Sequence, residues 1–526
     1  MAPYVRTPKT ASGARAVQIV WKQYKGSLDI EHVGSARDEQ QLAALKGVAR
    51  QIIAAGQGTL DLDYGLDGGF YPVTASKAVR LWDALVAAYA VLGFDVAVPD
   101  AVFAYLVFAR IVEPTSKLDS IRVLHELGVA APSYSTIQRR LVDCVTHDWR
   151  GAIETACLNH ALKGSDLRFC LYDVSTLHWE THQGDGFRES GFSKQRRLEP
   201  QCVVGLLTTR EGFPLKVSAF EGTEAETKTI LPVLQAFART HQVEGLTVVA
   251  DAGMMSHSNV VALLGAGFHV IMGHRIDREP YVVKRWRQKH PGQSVKDGQV
   301  FSQPKNIGTK TEPKWCVIYY QYRVKRARRD LAGIDKTLAK AERQVAGEVP
   351  AHTNRFVRLD DGRLGVNGDL VADARARAGF RAYFTDRPYA GKLADNWVNL
   401  GGDGATKRRE TNRLRRAAGE PIAAYHDLWH IEQAFRISKH DLAARPAYHF
   451  RRPQIEAHLT VVLAALAVSK WVETTSGVSI RRFLHTLKPI RQIELQVEGQ
   501  VLQGETPLTP TARAIINSIH RAADPH

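Results

Sequence analysis

Between residues 167 and 275 the chain sets apolar runs, turns and acids in an order that few architectures accommodate. LRFCLYDV (167–174) is a compact β run closing on an acid, Asp173. QCVVGLLTT and FPLKVSAFEG, joined by the turn REG, form a hairpin. Residues 224–240 have helical period, and TVVADAG (247–253) is another strand closing on an acid, Asp251. HSNVVALLGAGF and HVIMGH add a helix and a strand. The order β–β–β–α–β–α–β predicts an α/β sheet of mixed direction. Acids at strand ends point out at the carboxyl edge of such a sheet, where sites collect.

A third acid stands in YHDLWHIEQAFRISKHDLAARP (425–446). On a helix Glu432, Arg436 and Lys439 stack on one face, beside an apolar stripe of Leu428, Ile431, Phe435 and Leu442. Two readings of that charged stripe are open. One is a surface Glu–Arg pair; the other is a catalytic carboxylate flanked by phosphate-binding cations. An isolated strand-end Asp is ordinarily a turn or cap residue, but three acids on separate elements suit a pair of Mg²⁺ ions. Magnesium takes oxygen ligands, keeps several waters and uses one or two carboxylates each. Two such ions, with Mn²⁺ as substitute, activate a nucleophile and stabilise the leaving oxygen of an in-line phosphoryl transfer.

Charge points the same way. Seventy Lys and Arg against 54 Asp and Glu give +16 and a pI near 9.6. That surplus suits a chain that neutralises phosphates, whether of DNA or RNA, against the alternative of a merely basic soluble protein. The basic runs 323–329 and 407–416, and Ser193, Lys194, Arg196 and Arg197, are either solvated faces or backbone contacts. The five cysteines form no CxxC pair, which disfavours a zinc knuckle and fits a reducing compartment. No HExxH spacing is present, so none of the 20 histidines is assigned to a metal. No GxxxxGK[ST] or GxGxxG opens a helix after a strand, and no GxSxG elbow exists. MAPYVRTPKTASG has no apolar core, and the apolar runs near 81–108 and 459–468 are interrupted by acids or too short for a bilayer. A soluble cytoplasmic protein with no membrane partner is expected.

At 526 residues the chain should hold three or four domains. Residues 1–70 are read as a β-hairpin arm (16–34), a helix (37–54) and a Gly-rich loop (56–69). Residues 71–165 are helical, either an ordinary bundle or one containing a helix-turn-helix. There SYSTIQRRLVDC is a helix capped by Ser133 or Ser135. Residues 166–275 carry the first half of the sheet, and 276–420 form an inserted β-rich, basic subdomain. Residues 421–475 hold the Glu432 helix and the apolar helix IEAHLTVVLAALAVSKW, and 476–526 are a basic, weakly structured C-terminal region.

Taken in order, these blocks resemble the DDE transposases of bacterial insertion sequences, in the insertion-sequence-four-like group. LYDVSTLHWE resembles the first-Asp strand, GFSKQRRLEPQCVVGLLTTREGFPLKVSAFEGT the following hairpin, VVADAGMMS the second-Asp strand and YHDLWHIEQAFRISKHDLAARPAYHF the Glu helix. IVEPTSKL and the N-terminal hairpin also match. The signature of that last helix is Tyr, two residues, Arg, three residues, Glu, six residues, Lys. Tyr425, Glu432 and Lys439 match it, while Leu428 stands at the Arg position, leaving Arg436 or a residue from elsewhere to supply the charge. The resemblance implies a ribonuclease-H-like mixed sheet flanked by helices, with a β-rich insertion between the second Asp and the Glu. It also implies Asp173, Asp251 and Glu432 as the catalytic, metal-holding triad, and Tyr425 and Lys439 as contacts to DNA-end phosphates. Trp429 stands where related enzymes have an aromatic near a displaced base; a core tryptophan is the favoured alternative.

The function so implied is Mg-dependent cleavage and strand transfer on double-stranded DNA, at the element's ends and at a target. A homodimer on DNA and a bacterial, nucleoid-associated location go with it. A ribonuclease-H-like nuclease without strand transfer would use the same triad, and a catalytically idle DNA-binding relic would keep it unused. The absent signature Arg is the feature that favours the relic.

Overall fold

The computed structural model describes the chain apart from residues 1–3, 9–14, 23–27, 37–40, 43–44, 47, 50–52, 54–72, 165–166, 180–183, 192–198, 255, 310, 351–352, 361–362, 388–412, 414–415, 445–450, 498–499 and 525–526. The Gly-rich loop, the Ser193–Arg197 cluster and most of the 407–416 run lie outside the described residues. Two compact units emerge: 1–76 with 490–508, and 77–489 with 509–526.

In the smaller unit, strands Arg15–Lys22 and Leu28–Ala36 pair antiparallel as the expected hairpin, and Tyr4–Arg6 adds a third strand. Helical residues lie between 41 and 53, and Leu42 and Ala49 join Val17, Ile19 and Ala36 in a small core. Residues 490–508, expected to be weakly structured, instead form the hairpin Gln492–Val497 and Gln500–Glu505. It is joined at its edge by Val73–Lys77. Ile493, Leu495 and Val497 alternate with polar residues along its first strand, the period-2 pattern of a strand with one apolar face.

The larger unit opens with helices α1 (Val79–Val91), α2 (Ala101–Val112), α3 (Ser120–Glu126), α4 (Tyr134–Thr146) and α5 (Trp149–Ala161). The starts of α2, α4 and α5 are capped by short polar side chains. Asp100 accepts from the Phe103 N–H, Ser133 from Thr136 and Asp148 from Gly151. Strands β1 (Phe169–His178), β2 (Gln201–Thr209) and β3 (Pro214–Phe220) follow, then α6 (Glu226–His241), β4 (Thr247–Ala250), α7 (His257–Gly265) and β5 (His269–His274). The insertion supplies α8 (Tyr281–Lys289), β6 (Val300–Asn306), β7 (Trp315–Tyr322), α9 (Val324–Val345), a small hairpin over 357–366, α10 (Gly368–Arg377) and β8 (Phe380–Thr385). After it come α11 (Gly419–His426), α12 (Leu428–Arg436), a π turn Ile437–Asp441, α13 (Arg452–Ser476), α14 (Ile480–Leu487) and α15 (Pro510–Ala523).

The eight strands form one mixed sheet in the order β6–β7–β8–β5–β4–β1–β2–β3. Its β3–β2–β1–β4–β5 portion, with β1, β4 and β5 parallel and β2 and β3 antiparallel, is the ribonuclease-H-like core. The insertion is not a separate body: β8 pairs with β5, and β7 and β6 continue the same sheet. Side chains alternate across the sheet. Cys170, Tyr172 and Val174 enter the core shared with α6 and α7, so Leu171, Asp173 and Ser175 face the other side.

On that other side lies α13, with Ile455 and every residue from Ala457 to Val472 buried. A helix apolar all round belongs in the middle of a fold, and α1, α2, α4, α5 and α15 pack on it. The expectation that its apolar run is too short for a bilayer is corrected. Its 25 residues are long and apolar enough to cross one, yet 94% of the apolar window is buried inside the protein. All five cysteines are buried free thiols.

Candidate active site

Register brings the two aspartates together. The parallel pairing of β1 with β4 joins Phe169 to Thr247, Cys170 to Val248 and Leu171 to Val249. Continued by two residues, it carries Asp173 to the level of Asp251, on the same face of neighbouring strands. Asp251 directly follows β4. Asp173 does not end its strand: β1 runs on to His178 because β2 pairs with it from Cys170 to His178, Asp173 opposite Leu206. What ends near Asp173 is the parallel β1–β4 contact, and the opening left there is the site.

Helix α12 crosses that opening. Leu428, Ile431 and Phe435 are buried, as the stripe predicts, and Glu432 and Arg436 are exposed. The hairpin turn between β2 and β3 holds the start of α12, with Arg210 bonded to Asp427. Gly212 in this turn has φ +81° and no room for a Cβ against the His430 carbonyl. Asp173, Asp251 and Glu432 thereby line one cleft of about 420 Å³, together with Arg381, Tyr425, His426, Leu428, Trp429 and Ile431.

Tyr425 is buried and its hydroxyl donates to Asp251 Oδ1 at 2.8 Å. Burial first, then that bond and the carboxylate's charge, push its pKa well up, so it stays a donor. Its ring reaches this position over Gly273 of β5, where a Cβ would stand 2.5 Å from the Tyr425 hydroxyl. Arg381 of β8 lies over the Tyr425 ring at 5.0 Å, and Tyr383 meets the ring edge-on at 5.2 Å. His426 lies 3.3 Å from the Tyr383 hydroxyl, its pKa lowered by burial and then by Arg381 and Arg323. Arg381 and His426 also border a second groove of about 570 Å³ lined by Arg323, Lys325, Arg326 and Arg329. The basic run 323–329 therefore faces the acid cleft's neighbour.

Three expectations change. Trp429 is 54% exposed at the cleft rim and is not a core residue; its ring lies over His430. Lys439 leaves the Glu432 stripe, because the π turn inserts a wider step into the helix. Its ammonium donates to Ser175 Oγ and lies 5.6 Å from the Phe435 ring, outside the cleft. Arg436 does not line the cleft either. Arg381 was not foreseen as a site residue: FRAYFTD shows only a strand in sequence, and nothing local says which strand it will join.

Among the described residues no three His, Cys, Asp or Glu side chains converge as a closed metal cage. The three carboxylates are separate oxygen donors around one open polar cleft, which fits hard cations that keep waters and take one or two carboxylates each.

The mixed α/β sheet thus carries carboxylates at its parallel-strand opening and on a crossing helix, all lining one cleft. Residues 164–468 match the family described as Transposase DDE domain, and the chain belongs to that family, whose members generally use divalent metal ions. A solved structure described as "Cryo-EM structure of piggyBac transposase synaptic complex with hairpin DNA (SNHP)" is similar at 8% identity, over 77% of this chain and 70% of that one, with a TM-score of 0.36. No curated protein matches the chain.

Proposed function

We propose that this transposase binds the ends of its own insertion sequence, of the insertion-sequence-four-like group, cuts the DNA there and joins the freed 3′ end to a target. The observation that carries this reading is the meeting of Asp173, Asp251 and Glu432 in one cleft from three distant segments. These carboxylates would hold two Mg²⁺ ions, or Mn²⁺ in their place; bound there, the metal supplies nucleophile activation and leaving-oxygen stabilisation. Tyr425 orients Asp251 through its hydroxyl. Arg381 supplies the cation missing at Leu428: it borders both the acid cleft and the basic groove, where a scissile phosphate and the adjoining strand would meet. Trp429, exposed at the rim, is placed to stack on an unpaired base. Arg436 and Lys439 contact phosphates farther along the DNA, Lys439 after giving up Ser175. The N-terminal hairpin and helical region read the ends, two copies act together on DNA, and the enzyme works in the cytoplasm at the nucleoid.

The test is incubation of the full chain with Mg²⁺ and DNA carrying the element's ends. Asp173→Asn, Asp251→Asn and Glu432→Gln should each lose cleavage and joining by at least about 10²-fold, the upper range seen for groups that merely support metal ligands, while DNA binding persists. Cleavage without joining identifies a nuclease. Binding without cutting in every variant identifies an idle relic, for which restoring Arg at Leu428 is the next step.

A further inference from the structure

The segment EPTSKLDS (113–120), which the catalytic cleft does not use, links α2 to α3 and closes over a pocket of about 180 Å³. Its floor holds two cations. Arg110 from the last turn of α2 and Lys117 from the linker are each only 7% exposed. Among the described residues neither has a carboxylate within ion-pair distance. The Arg110 guanidinium makes one long hydrogen bond, 3.4 Å, to the Ala443 carbonyl.

The acids of the same segment are committed elsewhere. Glu113 is bonded to Arg122 and Lys488, and Asp119 to Arg122 and Thr115. Burial lowers the Lys117 pKa well below its ordinary value and that of Arg110 to about 10, and the two cations repel one another. Charges buried this way are normally paired. The mouth, by contrast, is open: Leu118 and Tyr134 are exposed, and Gln138 stands exposed on α4 beside them.

We infer that this pocket binds a phosphate oxyanion, with Arg110 and Lys117 as its counter-charges and Gln138 at its mouth. A guanidinium and an ammonium on one floor match a tetrahedral dianion or a phosphodiester, whose oxygens accept charge-assisted hydrogen bonds. The volume of about 180 Å³ admits a phosphate group. Its source is a backbone phosphate of bound DNA or free phosphate; the first rests on the DNA-binding function proposed above, the second does not. The pocket adjoins the stretch that follows the Glu432 helix. Arg110 and His458 bond the Ala443 and Ala444 carbonyls there, so an anion would brace the end of the catalytic segment.

Thermal melting of the full chain in inorganic phosphate, against chloride at equal ionic strength, tests the site. Phosphate should raise the melting temperature of the wild type. Lys117→Met and Gln138→Glu should abolish the rise; the latter lies on an exposed helix face and spares the core. A second arm measures affinity for end-bearing duplex DNA against salt. If Lys117→Met makes the slope shallower by about one phosphate contact, the occupant is the DNA backbone. An unchanged slope with the phosphate response intact assigns free phosphate. A wild type that melts identically in phosphate and chloride, and a Lys117→Met slope equal to the wild type's, overturn the site. Failure of the wild type to bind DNA counts against the proposed function alone, since the phosphate arm does not depend on it.

Discussion

Glu154 on α5 and Lys117 behind α2 are both buried ionisable side chains, and they differ in what faces them. Glu154 meets Lys216 Nζ at 2.6 Å and the Val217 N–H at 3.2 Å. Burial still pushes its carboxyl above the usual range, with Lys216 pulling the other way. Lys117 meets a second cation, Arg110. A buried charge that brings its partner is part of the scaffold; one with no counter-charge among the described residues is placed to receive a ligand. The acid cleft is a third case. Asp251 and Glu432 are exposed, so water solvates these carboxylates and the cleft holds them without the cost of burying a charge.

The sharpest way to break this comparison is to remove one cation from each buried site. Lys216→Met strands Glu154 and should cost about 3–5 kcal/mol in chemical denaturation, the range for a broken buried pair. Lys117→Met should cost nothing or stabilise, because it replaces a buried charge that has no counter-charge among the described residues with an apolar side chain of similar volume. Equal losses would show that Lys117 has a counter-charge inside the protein. Next in size comes Gly273→Ala, where the new Cβ drives into the Tyr425 hydroxyl. The expected loss is about 1–3 kcal/mol of overpacking, with cleavage falling as Asp251 loses its donor. A variant with wild-type stability and activity would mean that Tyr425 does not need its seat on β5.

The same contrast between local and distant causes decides what the sequence discloses. The acid-bearing strand TVVADAG, the REG hairpin and the Glu432 helix were legible because each is set by a period and a turn within about a dozen residues. The matching level of Asp173 and Asp251 follows only from β1–β4 pairing across 78 positions of register. Arg381 enters the site because β8 joins β5 at the far end of the insertion, a pairing that FRAYFT does not announce. The π turn that redirects Lys439 breaks the 3.6-residue period from which the charged stripe was projected. Burial of Lys117 is hidden for a related reason: EPTSKLDS has the composition of a solvated loop, and only α13 and α4 packed around it turn the lysine inward.

Smaller effects sharpen the distinction between buried and exposed charge at the cleft itself. Tyr425→Phe removes one hydrogen bond to an exposed carboxylate that water can re-solvate, so its stability cost should stay near 0.5–1.5 kcal/mol. Its activity should fall about 10–100-fold, as for groups that support metal ligands. Glu432→Gln should be smaller still in stability, within about 0.5 kcal/mol, because an exposed side chain away from any buried partner contributes little. Yet the same change should remove most of the cleavage activity. That opposition between a silent melting curve and a silent enzyme is what an exposed, function-bearing carboxylate predicts. A large stability loss in Glu432→Gln would instead mark Glu432 as a structural residue, and would return the Glu432–Arg436 stripe to an ordinary helix-surface pair.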